Sequence, residues 1–246
     1  MLVHPAVAWL TTRQLLTRRR AIPVVALAAL PAAIALMFAI WGGERAAAGL
    51  YAELVTTLII PVVVPLIGLL LGGTAFGTEL EEGTAIHLLA RPIPRHAILF
   101  GKAIVAVPAA ALLGAIAALA CGVIIARGFG DDGLILASTA ASAAAGALYA
   151  LLFLAVGLVT RRGMLIGLLY LALWEGTLAT AFAGTRVLSI RQYALSIMDH
   201  LTAVGPEVFA APLPLSTALW MTAAVTTACA ALALYRLRTF EVNEST

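Results

Sequence analysis

The chain has 246 residues, 63% hydrophobic and only 11% charged, with a mean hydropathy of +1.05. A soluble domain carries about 25% charged residues, so this composition excludes an ordinary soluble globule and puts most of the chain in lipid. The net charge of +3 and the pI near 9.2 would suit nucleic acid in a soluble protein; here the basic residues are expected to set membrane orientation, and no nucleic-acid partner is expected.

In chain order, residues 4–20 come first. Trp9, Leu10, Leu15 and Leu16 alternate with Arg13 and Arg18 to Arg20, the pattern of an amphipathic segment on the inner leaflet, with apolar groups in lipid and arginines on anionic head groups. "TRRRAIPVVALAALPAAIALMFA" then looks like a twin-arginine signal, but its apolar stretch is about 20 residues against the usual 7–15. A retained first helix is the expectation.

Crossing the hydrocarbon core takes about 20 apolar residues, and a backbone in lipid must satisfy its own hydrogen bonds as helix. Six runs qualify: about 21–41, 52–76, 98–126, 134–159, 163–183 and 215–235. The expected architecture is therefore an all-α integral membrane protein, a single domain over 1–246 with six transmembrane helices. Pro61 and Pro65 in the second run remove backbone donors and predict a kink. Gly114, Ala118 and Gly122 share one face of the third run, and Ser142, Gly146 and Ala150 share one face of the fourth. Small residues at that spacing let helix backbones approach closely. Cys121 and Cys229 fall inside apolar runs, so no disulfide framework is expected.

Between the second and third runs lies "GTELEEGTAIHLLARPIPRHAILFGK", the most charged stretch of the chain. "GTELEE" extends the second helix beyond the membrane, Gly83 ends it, and Thr84 caps a short helix through Arg91. Pro92 and Pro94 then stop that helix and start the third run. A charged helix at the tips of two long spans is a handle for a partner; the plain alternative is a solvated connector.

Glu175, in "LYLALWEGTLATAF", lies inside the fifth run, about 20 Å from Arg162 at 1.5 Å per residue. An acidic group there costs roughly 2.5–3.5 kcal/mol on insertion scales. Three readings stay open: a structural pair with Arg186 or Arg191, a place on the transport path or at a dimer axis, or a carboxyl kept protonated in an apolar setting. Residues 184–214 form the one long external segment. In "LSIRQYALSIMDHL", Ile190, Tyr193, Ala194, Ile197 and Leu201 share a face, while Arg191, Gln192, Asp199 and His200 point elsewhere. That predicts an interfacial or re-entrant helix.

With six spans both termini share a side. That side carries eleven basic residues (Arg13, Arg18, Arg19, Arg20, Arg91, Arg95, Lys102, Arg161, Arg162, Arg236, Arg238) against four on the other (Arg45, Arg127, Arg186, Arg191). The positive-inside rule puts both termini and the 77–97 loop in the cytoplasm.

The chemistry of other classes is missing from the sequence. His4, His87, His96 and His200 are scattered and form no H-E-x-x-H, so no metal site is expected. No serine sits in a G-x-S-x-G elbow. Gly101-Lys102 lacks the glycine and the Ser/Thr of a phosphate loop, so any ATP is bound by another chain. No enzyme is expected. A secondary transporter or channel subunit with no ATPase partner is the alternative, although it would line a midplane site with polar residues, and Glu53 and Glu175 are the acidic residues in the spans.

The 77–102 stretch resembles the corresponding loop of ABC-2-type permeases, the membrane subunits of one class of ABC exporters. The likeness rests on Glu79 to Glu82, Gly83-Thr84, Leu88-Leu89, Pro92, Arg95 and Gly101-Lys102, and on "LWEGTLATAFAGTRVLSIRQYAL" after the fifth run. The resemblance implies a cytoplasmic coupling helix at about 84–91 within the 77–97 loop. Glu79, Glu81, Glu82, Thr84, His87, Leu88, Arg91 and Arg95 would dock on a separate ATP-binding cassette subunit that holds ATP and Mg. It implies two permease copies, alike or related, in a bacterial cytoplasmic membrane. It implies export of a hydrophobic or amphipathic substrate, the substrate itself staying open, and no cofactor in this chain.

Overall fold

The computed structural model describes residues 9–13, 17–41, 47–75, 95–125, 133–160 and 162–239. Among these, every regular element is helical. Long helices are α1 (Arg18–Trp41), α2 (Ala47–Gly73), α3 (Arg95–Ile125) and α4 (Leu134–Val159). They continue with α5 (Gly163–Leu178, with a last turn Ala179–Ala181), α6 (Ile190–Leu201) and α7 (Leu215–Thr239). Residues 9–13 are also helical, with Trp9 and Leu10 exposed, as a lipid-facing side requires.

Five helices, α1 to α4 and α7, are long and apolar enough to cross a membrane. The expected fifth run is shorter as a helix, because α5 stops at Phe182, whose extended backbone (φ −115°, ψ 122°) turns the chain into a 3-10 helix over Ala183–Leu188.

At the centre stands α4, which packs against α2, α3, α5, α6 and α7, while α1 lies on α2 and α3. Its composition explains this position. A Cβ added at Gly146 would stand 2.6 Å from the Ala110 carbonyl oxygen of α3, and one at Gly114 would stand 2.8 Å from that of Ser142. The small faces of α3 and α4 thus meet backbone to backbone, as their spacing predicts. Ala150 turns instead to α2, where Gly72 leaves room for its carbonyl. Tyr51 of α2 joins the three helices, its hydroxyl donating to the Ala118 carbonyl at 3.0 Å and sitting 2.5 Å from Ser138 Oγ.

Pro61 lies in a stretch of α2, Val55–Val63, wound as π-helix, and Pro65 opens the α-helical turn that follows. Proline has no N–H to give the carbonyl four residues back, and the wider i→i+5 winding absorbs that loss.

The segment after α5 differs from its expected form. Ile190, Tyr193 and Ala194 are buried as the spacing suggests, but so are Gln192, Leu195, Ser196 and Met198, whereas Leu201 is 53% exposed. The helix is enclosed because it packs along α4 and α7. Its last residue approaches Gly133 at the head of α4, and its first lies beside Glu175 of α5.

The close approach of α3 and α4 yields a direct expectation. Gly146→Ala will lower the thermal unfolding midpoint of the detergent-solubilised protein, by the equivalent of about 1–3 kcal/mol for overpacking. Gly49→Ala, where an added Cβ meets nothing within 4 Å, will leave the midpoint unchanged.

Candidate functional site

Two charged side chains are buried among the described residues, Glu175 at 3% exposure and Lys102 at 2%. Glu175 is held at a helix end and Lys102 on a backbone carbonyl. A helix N-terminus presents unpaired N–H groups and partial positive charge, and a C-terminus presents unpaired carbonyls and partial negative charge.

Glu175 meets the N-terminus of α6. Its Oε1 accepts from the backbone N–H of Ile190 at 3.0 Å, and its Oε2 accepts from the Ser189 hydroxyl at 2.5 Å. The Tyr170 hydroxyl donates to Oε1 over a longer 3.3 Å. Ser189 is also the N-cap of α6, its Oγ accepting from the Gln192 N–H at 3.4 Å. One hydroxyl therefore serves the helix end and the carboxylate together.

The partners are neutral donors in place of Arg186 or Arg191. The Arg191 guanidinium turns the other way and donates from Nη2 to the Thr56 carbonyl of α2 at 3.1 Å. Two ties thus fasten the first turn of α6, one to α5 and one to α2. Trp174 Nε1 donates to the Leu188 carbonyl at 3.3 Å, and Tyr193 donates to that of Val187 at 2.7 Å. These bonds fix the turn that delivers Ser189.

The winding of α5 decides which side chains gather here. Tyr170–Leu178 is π-helical. In an α-helix, residues five apart point about 140° away from each other; the i→i+5 repeat of a π-helix brings them to one side. Tyr170 and Glu175 are such a pair. The sequence carries no proline or glycine pattern that announces this winding, so an α-helical reading places Ala172 and Ala179 on Glu175's face and leaves Tyr170 off it.

Around the carboxylate the wall is aromatic. Tyr149 of α4 stacks on Phe153 (centroids 6.1 Å apart), and Phe153 meets Tyr170 edge-on at 6.2 Å. Tyr149 is fully buried, and its hydroxyl lies beside the Glu175 carboxylate.

Lys102 lies at the opposite end of the bundle, in the second turn of α3. Its ammonium donates to the carbonyl of Ala75, in the helical stretch that continues α2. This bond ties the stretch that continues α2 to α3. Of the loop residues expected to meet a partner, Glu79, Glu81, Glu82, Thr84, His87, Leu88 and Arg91 lie outside the described residues. The backbone of Arg95 opens α3. Among the described residues no group of three His, Cys, Asp or Glu stands together to hold a metal.

A helical bundle with five membrane-length apolar helices among the described residues is a multi-pass membrane protein. Residues 14–169 match the model of the ABC-2 family transporter proteins. The match covers more than half of the chain, and the chain belongs to that family. Its members are normally non-catalytic membrane subunits, and membership implies an ATP-binding partner in general. A search of curated proteins found no match. The family match ends before Glu175 and α6.

The double duty of Ser189 makes it the sensitive point of this junction. Ser189→Ala removes a charge-assisted donor and a helix cap, and will cost about 1–3 kcal/mol, read as a lower thermal midpoint. Thr227→Ala, which removes a hydroxyl bonded only within its own exposed turn, will stay within about 0.5 kcal/mol of wild type.

Proposed function

We propose that this chain is the permease subunit of an ABC exporter, moving a hydrophobic or amphipathic cargo with ATP hydrolysed by a separate subunit. The family match over residues 14–169 carries this reading. In it α5 is the sixth crossing, both termini face the cytoplasm, and α6 enters the bundle from outside as a re-entrant helix. The eleven-to-four division of basic residues supports that orientation. Two permease copies and two ATPases form the working unit, and ATP and Mg sit on the partner.

Coupling follows from how the 77–97 loop is rooted. Glu79, Glu81, Glu82, Thr84, His87, Leu88, Arg91 and Arg95 present charge and a short helix to the ATPase. Lys102 clamps the helices that bracket the loop, so a push on it displaces α2 and α3 together rather than spreading them. The tight backbone contacts of α3 and α2 with α4 then carry the displacement to the centre of the bundle.

Two experiments test this. The chain purified from its native membrane will bring down a subunit with a phosphate loop, and alone it will hydrolyse no ATP. Reversing Glu79, Glu81 and Glu82 to lysine will weaken that complex or uncouple hydrolysis from transport while the permease stays folded. Normal transport by the triple variant would make the loop a mere connector, and a chain that transports with no ATPase would be a secondary transporter. Orientation is read separately, by impermeant maleimide on whole cells lacking Cys121 and Cys229. Leu201→Cys will label and Thr84→Cys will not.

A further inference from the structure

The bond between Arg191 and Thr56 has a cause in the sequence of α2. Val55–Val63 is wound as π-helix, in which each carbonyl takes the amide five residues on. The Val64 N–H accordingly donates to the Ile59 carbonyl. By the same rule the Thr56 carbonyl is due the amide of residue 61, and residue 61 is proline, which has none. The nearby hydroxyls do not fill the place, since Thr56 and Thr57 donate backward, to the carbonyls of Ala52 and Glu53. The donor that arrives is Arg191 Nη2, at 3.1 Å, from the first turn of α6. Among the described residues this is the guanidinium's one hydrogen bond, and its Nε is buried without a partner.

We propose that Pro61 is what docks α6 on α2: the carbonyl it leaves open is the acceptor that holds Arg191. In a helix among apolar neighbours an unserved carbonyl is costly, and proline is tolerated where another element supplies the donor. A charged donor suits the place, because its bond is stronger than a neutral one. Any other residue at position 61 would close the site. In α winding the Thr56 carbonyl would take the amide of residue 60, and in π winding that of residue 61. Arg191 directly follows Ser189 and Ile190, which both donate to Glu175. Holding its guanidinium on α2 therefore fixes the turn that reaches the carboxylate, and keeps this charge out of the carboxylate's own hydrogen bonds. Pro61 and Arg191 are positioning residues for that junction, one on each of two helices. The coupling concerns the packing of this chain alone and stands apart from the permease reading.

A cycle of substitutions tests the pair, in the full-length chain lacking Cys121 and Cys229 and held in lipid nanodiscs. Ala194, 1% exposed in the middle of α6, is replaced by cysteine. Its maleimide labelling reports how firmly α6 is docked, since a buried site reacts through local opening. With Pro61 present, Arg191→Met will raise the labelling rate about tenfold, the scale of one hydrogen bond to a charged group. Pro61→Ala alone will also raise it, although removing a proline from a helix ordinarily steadies the helix. In the Pro61→Ala background Arg191→Met will change the rate by less than about threefold, as for a pair whose interaction is already gone. The loss of a positive charge near Glu175 is common to both backgrounds and cancels in the comparison. Equal effects of Arg191→Met in the two backgrounds, or a Pro61→Ala chain that labels as slowly as the parent, overturn the proposal and leave the family and the permease reading in place. Should Arg191→Met fail to fold with Pro61 present, recovery on adding Pro61→Ala supports the coupling, and failure in both backgrounds overturns it.

Discussion

A charge inside a membrane protein has no water to fall back on, and the helices around it supply the nearest compensation. Among the described residues the chain meets that constraint twice, each time with backbone groups of a neighbouring helix. Glu175 lies on the Ile190 amide at the N-terminus of α6, and Lys102 lies on the Ala75 carbonyl, in the stretch that continues α2. The Glu175 bond answers two deficits, the charge of the side chain and an unpaired amide of a helix end. Each of the two bonds joins elements distant in sequence, so both define the shape of the bundle. The short helix α6 would have no reason to enter the bundle if its exposed amides met only apolar side chains there.

Close packing makes the two ties mechanically relevant. Glycine, alanine and serine on α2, α3 and α4 bring backbones into direct contact, where lipid-like side chains would have cushioned them. Core helices packed in that way move as bodies. The peripheral helices α1 and α7 present leucine, isoleucine and tryptophan outward, as helices facing acyl chains do. The described residues thus divide into a closely packed middle holding both buried charges and an apolar perimeter.

Membership in the ABC-2 family rests on the portion up to residue 169. The Lys102 clamp belongs to that portion, beside the connection through which such a subunit would be driven. The Glu175 junction lies beyond it. Between the two lies α4, which packs against α2 and α3 as well as α5 and α6.

The sequence by itself determined the class of protein and the ends of most helices, because the length of an apolar run and the satisfaction of its backbone are local properties. The run at 134–159 coincides with α4, and the glycine and serine faces found by spacing are the contacts between α3 and α4. The stretch between α2 and α3 stands out by composition as the most charged of the chain. What meets Glu175 was decided only in the tertiary structure. Arginines 186 and 191 are the obvious partners by charge, yet a turn carrying Ser189 reaches the carboxylate first and Arg191 is drawn to Thr56. The π winding of α5 brings Tyr170 round, and neighbouring helices bury α6 on faces its sequence leaves polar. Helical periodicity tells which residues of one helix face together. It does not tell which helix end, from elsewhere in the chain, arrives to meet them.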